Sequence, residues 1–269
     1  MDTVKFETAP AGCLGGFVAA AVTERAGGVS RGPFGSLNLG RSTVDEAASV
    51  HENERRVLHA LGLADTVARL RLEHGARVLR VQEPGMHGPA DALLTSRDDL
   101  VLWLTVADCF PVVLTAGRWR VLGHCGWRGI AAGLAQAMVA ELAGVSGIAP
   151  DGFRGWIGPG IGPCCYEVGP ELIAALPDAV SPASWHPEGL PVRDPGGVSV
   201  QRKVDVSPVR HHADLRRAIV TRLREAGVPA AAVGGEPVCT SCHPQRFYSH
   251  RRDGSPSGRM AALSWVQAG

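Results

Sequence analysis

The sequence predicts an α/β (or α+β) chain with a mixed sheet, folded as one domain over residues 1–269. Short apolar runs of strand length alternate with segments whose apolar residues recur at helical spacing. A chain of 269 residues with 45% hydrophobic and 20% charged content has enough apolar material for one large core. No Ser/Gly linker, charge block or repeat divides it.

The elements follow in order. Ala11 to Val22 reads as an early strand; it imitates a signal-peptide core, but Asp2 and Glu7 offset Lys5 ahead of it. Asp45 to Leu61 reads as a helix with Val50, Val57, Leu58 and Leu61 on one face, Glu46 near its start and Gly62 beyond its end. Arg77 to Val81, Val101 to Val106, Pro111 to Leu114, Trp119 to Gly123 and Phe153 to Ile157 are apolar runs of the kind found in buried strands. A second helix is expected from about Ala131 to Ala143, directly after Arg128-Gly129, its free N–H groups facing a pocket and favouring an anion. Ser181 to Gly197 is Pro/Gly-rich and reads as a surface loop. His211-His212 reads as the surface start of a polar helix. Asp214 to Ala226 spaces Leu215, Ile219 and Leu223 a turn apart and stops at Gly227 before Pro229.

Composition narrows the function. The net charge is +1, and the basic residues form no stripe apart from Arg251-Arg252 and a mixed patch from Arg210 to Arg217, so extended nucleic-acid binding is not expected. A single nucleotide-sized ligand fits better. No run reaches the roughly 18 apolar residues of a membrane span, and the chain is expected in the cytoplasm. Its seven cysteines are odd in number and scattered, which suits reduced thiols.

Chemistry concentrates in Ala107-Asp108-Cys109-Phe110-Pro111 and His124-Cys125-Gly126-Trp127-Arg128-Gly129. An apolar run leads into each cluster, placing Cys109 and His124 at the ends of neighbouring strands. Thiolate and imidazole are ligand types zinc prefers, and a third ligand with an open fourth position would make a catalytic site. His74, before Gly75, is the candidate third ligand. By residue type alone, a buried Cys and a satisfied core His are the alternative. Cys239-Thr240-Ser241-Cys242-His243 spells a c-type haem attachment signature, but covalent haem requires an exported chain, which nothing signals. A single CxxC is also weak grounds for a structural zinc, and Cys242 and His243 read as loop residues.

Beyond these clusters come Gly28-Val29-Ser30 through Gly32-Pro33-Phe34, Ser36-Leu37-Asn38-Leu39-Gly40, Glu52-Asn53, His74-Gly75 and Ala90-Asp91-Ala92. Further on are Ile157-Gly158-Pro159 with Gly162, Tyr166-Glu167-Val168, Asp214-Leu215, Cys239-Thr240, and Phe247-Tyr248-Ser249-His250-Arg251-Arg252-Asp253-Gly254 closing on Gly258-Arg259. Nearly end to end, this series resembles the multicopper polyphenol oxidase (laccase) domain family, also described as a purine nucleoside phosphorylase family that includes the peptidoglycan editing factor. The resemblance implies a layered α-β-β-α sandwich and one Zn2+ held by His74, Cys109 and His124. It also implies phosphorolysis of purine nucleosides, including 5′-methylthioadenosine, together with adenosine deamination. The usual zinc-deaminase signature, His-x-Glu with Pro-Cys-x-x-Cys, is absent, so deamination rests on the resemblance.

Asp108, Cys109 and Arg128 are the catalytic candidates; Arg128, Arg251 and Arg252 are candidates for a phosphate clamp, because arginine grips phosphate bidentately. Asn38 could contact ribose or base, although an Asn between Leu37 and Leu39 also suits a turn. Asp108 could equally orient a neighbour. His250 and Tyr248, read in a strand, are weaker candidates. The chain departs from the family where Gln commonly precedes the first ligand by two residues; Leu72 stands there. Cys125 replaces a common Ala and could compete for metal or oxidise. Two other enzyme readings are a copper-dependent phenol oxidase and a cell-wall-editing hydrolase using the zinc-water or the Cys109 thiolate. Copper fits less well, since one His/Cys/His set with no His-x-His pair is too few ligands for a multicopper centre. A non-enzymatic module using zinc for stability would need a closed four-ligand site.

Overall fold

A computed structural model describes residues 3–182 and 210–267. The strands are β1 (Phe6–Thr8), β2 (Val18–Thr23), β3 (Val67–Leu70), β4 (Val78–Arg80), β5 (Gly85–His87), β6 (Ala92–Thr95), β7 (Val101–Val106), β8 (Phe110–Ala116), β9 (Trp119–Cys125), β10 (Arg154–Ile157), β11 (Glu167–Val168), β12 (Val180–Pro182), β13 (His211–Ala213), β14 (Val233–Gly234) and β15 (Met260–Val266). The helices are α1 (Ala47–Leu61), α2 (Trp127–Ala131), α3 (Leu134–Ser146), α4 (Pro170–Ala175), α5 (Leu215–Glu225) and α6 (His250–Asp253).

Two mixed six-stranded sheets, ordered β1-β2-β15-β7-β3-β5 and β14-β10-β8-β9-β6-β4, form the centre, with a small β11-β13-β12 sheet beside them. Side chains alternate across each strand, so continuous apolar runs are used on both faces. Leu102, Leu104, Met260 and Ala262 of the first sheet meet Leu93, Val113, Leu122 and Trp156 of the second between the layers. On the far side of the second sheet, Val112, Leu114 and Val121 pack against Leu134, Met138 and Leu142 of α3 and Leu215, Ile219 and Leu223 of α5. On the far side of the first, Trp103, Ala261 and Leu263 pack on Val57 and Leu58 of α1. This is the layered α-β-β-α arrangement that the resemblance implied. Each fully buried Leu or Val contributes about 1.5–3 kcal/mol.

Several boundaries differ from expectation. The early strand begins only at Val18, since residues 11–14 form a turn. The single helix expected near Ala131 is two: α2 starts at Trp127, and Gly133, at φ 89°, breaks the chain before α3. The helix start beside the His124 cluster is therefore that of the five-residue α2, not of the longer α3. α1 ends as read, with Gly62 in the left-handed conformation and its N–H bonded to His59 and Leu58 carbonyls. α5 is capped by the Asp214 carboxylate, which accepts from Arg217 N–H at 2.9 Å. His211-His212 opens a strand, not a helix. Of the expected loop Ser181 to Gly197, residues 183 onward lie outside the described residues.

Candidate metal centre

The β8–β9 hairpin turns at Gly117-Arg118, and counting back from it pairs Pro111 with His124 and Phe110 with Cys125. Cys109 is the next residue beyond that last pair. Alternation then separates His124 from its neighbour: Cys125 enters the helix-side core, fully buried, while His124 takes the opposite face. Burial and the nearby negative groups Cys109 and Asp91 push the Cys125 thiol well up, keeping it neutral. Cys125 is thus a core residue, and the expected competition for metal has no geometric basis.

His74 arrives from the loop between β3 and β4 in the left-handed conformation, φ 62°. Asp91, at the entrance to β6, imposes that turn: its carboxylate accepts from His74 N–H at 2.8 Å and Gly75 N–H at 2.6 Å, and its carbonyl accepts from His124 N–H at 2.8 Å. One buried aspartate therefore aligns two imidazole-bearing segments. The His74 and His124 rings meet edge to face, centroids 5.0 Å apart. Close approach explains two glycines of the second cluster. A Cβ on Gly126 would stand 2.8 Å from Cys109 Sγ, and one on Gly129 would stand 2.9 Å from the Gly75 carbonyl.

The donor atoms of His74, Cys109 and His124 lie within 4.8 Å of one another. A zinc ion with bonds of about 2.1–2.3 Å spans donors roughly 3.4–3.8 Å apart, so small side-chain rotations close the set. The electrostatics agree. Burial lowers the His124 pKa, but a Cys109 thiolate and the Asp91 carboxylate outweigh it and push the group up to about 9; the same field attracts a metal cation. Burial, then His124, holds His74 below its ordinary value, toward the neutral ligand form. Buried His124 Nδ1, 3.7 Å from Asp91, has no hydrogen-bond partner, an orphaned polar atom that fits a metal-binding imidazole.

The three residues form one edge of a cavity of about 670 Å³, within the usual range for small-ligand sites. Leu39, Leu72, Met86 and Trp103 give it apolar walls; Arg41, Arg69, Arg71, Arg259 and His250 give it cationic and titratable ones. Arg41 is committed to Glu54 through two bonds of 2.7 and 2.6 Å, and Arg69 lies over Trp103 with Glu54 at 3.3 Å. Arg71 has no side-chain partner among the described residues, and Arg259 Nη1 donates only to the Ser257 and Gly258 carbonyls.

The expected polar residues divide. Asp108, φ 85°, is buried; its carboxylate accepts from Thr240 Oγ1 at 2.6 Å and Arg251 N–H at 2.7 Å, so both oxygens hold neighbouring chain. Asn38 is buried away from the cavity and saturated: its amide donates to Thr43 and Asp45 and accepts from Gly40 and Arg259 N–H groups. The guanidinium of Arg252 is consumed by Asp253 and by the carbonyls of Thr240, Ser241 and Phe247, which makes it a structural brace. Arg251 stacks on Tyr166 and lines a smaller neighbouring cavity, and exposed Arg128 stacks on Trp127; neither lines the main one. Tyr248 is buried, its hydroxyl donating to the Phe34 carbonyl at 2.6 Å. His250 is not in a strand; it opens α6 and faces the cavity.

Sequence reasoning passed over Asp91, Arg71 and Arg259. Asp91 and Arg259 stood in recognisable motifs, but a role for either requires knowing what it faces. Cys164, Cys165, Cys239 and Cys242 form a second gathering that the lone CxxC did not reveal.

Residues 19–267 match the family described as multi-copper polyphenol oxidoreductase laccase. The chain is 37% identical to a purine nucleoside phosphorylase of Xylella fastidiosa, covering 89% of this chain and 88% of that protein. It is 32% identical to the purine nucleoside phosphorylase YfiH of Escherichia coli, covering 93% and 94%. The crystal structure of YlmD from Geobacillus stearothermophilus superposes with a TM-score of 0.84 at 31% identity, covering 100% of this chain and 98% of that one. Matched over nearly its whole length, and carrying the His/Cys/His set, the chain belongs to the multi-copper polyphenol oxidoreductase laccase family.

Proposed function

We propose that the protein is a zinc-dependent purine nucleoside phosphorylase whose active site is the cavity beside His74, Cys109 and His124. The observation that carries this reading is the placement of an incomplete N/N/S metal set at the edge of a nucleoside-sized cavity that also holds cationic side chains. The names of the relatives point the same way. Zinc, when bound, supplies Lewis acidity and a water of lowered pKa.

The remaining chemistry falls to the chain. A purine packs against the apolar side chains of Leu72 and Met86 in the cavity wall. Phosphate sits on Arg71 and Arg259, the cavity arginines not committed to a carboxylate; this replaces a clamp of Arg128, Arg251 and Arg252. A phosphate oxygen bonds C1′ as the C1′–N9 bond breaks, the electron pair leaves with the purine, and the base takes up a proton, for which His250, a cavity-lining imidazole, is the proposed donor. The products are free base and ribose 1-phosphate. Asp108 acts by positioning Cys109 against Thr240 and Arg251.

Adenosine deamination, which consumes water and releases ammonia from C6, and cleavage of 5′-methylthioadenosine belong to the same proposal, because one pocket presents base and sugar to one centre. A multicopper oxidase is disfavoured: among the described residues, no second His-containing cluster exists. No helix among them is long and apolar enough to cross a membrane, and a cytoplasmic site of action is part of this reading.

Zinc-loaded protein is incubated with adenosine, inosine and 5′-methylthioadenosine, with and without phosphate, and products are separated by chromatography. Adenosine should give inosine without phosphate, and base plus ribose 1-phosphate with it, both activities falling together in His124→Ala. Phenol oxidation requiring added copper, with no nucleoside turnover, would overturn the proposal.

A further inference from the structure

We propose that Cys164, Cys165, Cys239 and Cys242 form a second metal site, a closed tetrathiolate Zn2+ centre that staples the turn before β11 to the turn following β14. Three relations support it. The four sulfurs lie within 4.8 Å of one another, and Cys242 Sγ is 3.4 Å from the sulfurs of both Cys164 and Cys165. A tetrahedral zinc with Zn–S bonds of about 2.3 Å places its sulfurs roughly 3.8 Å apart, so the thiols already crowd around one point. A disulfide would use Cys242 once and leave two thiols pressed against it, whereas a single cation engages all four.

Backbone structure fixes the gathering before any metal arrives. Gly160 and Cys239 form a parallel bridge, with Gly160 N–H donating to the Val238 carbonyl at 3.2 Å and Thr240 N–H to the Gly160 carbonyl at 3.0 Å. Cys165 and Tyr166 N–H groups both return to the Gly162 carbonyl, a turn that lets two adjacent cysteines present sulfur to the same centre. Gly162 N–H donates to Cys239 Sγ at 3.2 Å, the kind of outer hydrogen bond that stabilises a metal thiolate. A Cβ on Gly162 would stand 3.2 Å from both Cys164 Sγ and Cys239 Cβ, so a side chain there would push the two segments apart by a few tenths of an ångström.

Four thiolates favour zinc over magnesium or calcium, and a closed four-ligand set without an open position is structural. Thr240, inside the CxxC, holds Asp108 beside Cys109, so the staple also braces the first metal site. All seven cysteines are free in this structure, as the sequence led one to expect.

The test is zinc stoichiometry in protein purified under reducing conditions. Wild type should carry two zinc ions per chain, and Cys164→Ser/Cys242→Ser one. Cys109→Ala should also carry one, released by a thiol-directed mercurial and replaceable by Co2+ with the intense charge-transfer absorption of four thiolates. If the serine variant fails to fold, the Cys109→Ala measurements decide alone. A Cys109→Ala chain that binds no zinc overturns the proposal, as does peptide mapping that finds Cys242 in a disulfide with Cys164 or Cys165. One zinc in wild type, lost in the serine variant and kept in Cys109→Ala, would support this site and refute the His74 site instead.

Discussion

Asp91→Asn tests whether one buried carboxylate organises the His/Cys/His set. In the wild type, two backbone N–H groups donate to that carboxylate at 2.8 and 2.6 Å, and bonds to a charged acceptor are each worth about 1.5–3 kcal/mol. Asparagine keeps the shape but replaces one acceptor with an NH2 group, so one N–H of the His74-Gly75 turn loses its partner and the other bonds a neutral oxygen. The expected cost is about 2–3 kcal/mol, which for a chain of this size lowers Tm by roughly 4–6 °C. Because His74 would then sample other orientations, metal affinity should fall about 10–100-fold, as for other residues that orient metal ligands. The pH dependence has a definite sign. Burial opposes the Asp91 charge, but His124 and the Gly75 and His74 N–H groups outweigh it and hold the pKa below its ordinary value. Its contribution is therefore fully present above the unfolded value, about 3.9, and lost as pH falls through the lower folded value. The stability gap between wild type and variant should narrow in strong acid, and narrow again as pH rises toward about 9, where His124 loses the proton that Asp91 helps it hold. Thermal melts across pH and competitive zinc titration measure both effects. Wild-type melting and wild-type zinc affinity in Asp91→Asn would refute the reasoning.

Cys109→Ala should lose the zinc of the His/Cys/His set, and metal analysis showing that zinc retained would remove Cys109 as a ligand. Gly126→Ala places a methyl 2.8 Å from Cys109 Sγ, so it should weaken metal binding with little loss of helix content by circular dichroism; unchanged affinity would mean that Cys109 moves freely. Arg71→Ala and Arg259→Ala should raise the KM for phosphate at least tenfold, while Arg128→Ala leaves it near wild type; the reverse ranking would return the clamp to the α2 side. Arg252→Ala removes three backbone-carbonyl contacts and should destabilise the chain by about 2–4 kcal/mol in urea unfolding, and a purely kinetic phenotype would contradict the bracing role.

The amino-acid sequence by itself determined the class of fold, the metal-ligand candidates and much of the helix punctuation. Those features are local. Apolar runs with both faces buried read as strands wherever they fall, Gly62 and Asp214 end and begin helices through their own backbone and side-chain chemistry, and His74, Cys109 and His124 stand in motifs that the family resemblance singles out, where residue type alone left a core Cys and His open. Strand β15 escaped notice because its Ala261 and Ala262 carry little strand preference; its place between β2 and β7 makes it a strand. What tertiary structure alone decided is partnership. Asn38 and Arg252 look available as bare polar side chains, yet Asn38 is used up by Thr43, Asp45, Gly40 and the distant Arg259, and Arg252 by Asp253 and the carbonyls of Thr240, Ser241 and Phe247. Arg71 and Arg259 look ordinary, yet share a cavity from opposite sides of a long sequence separation. The four cysteines, split into two pairs distant in sequence, became a cluster only when Gly160 paired with Cys239. Residue type and spacing fix what a side chain can do, but whether its donors and acceptors are already used depends on contacts between segments whose register the local sequence does not encode.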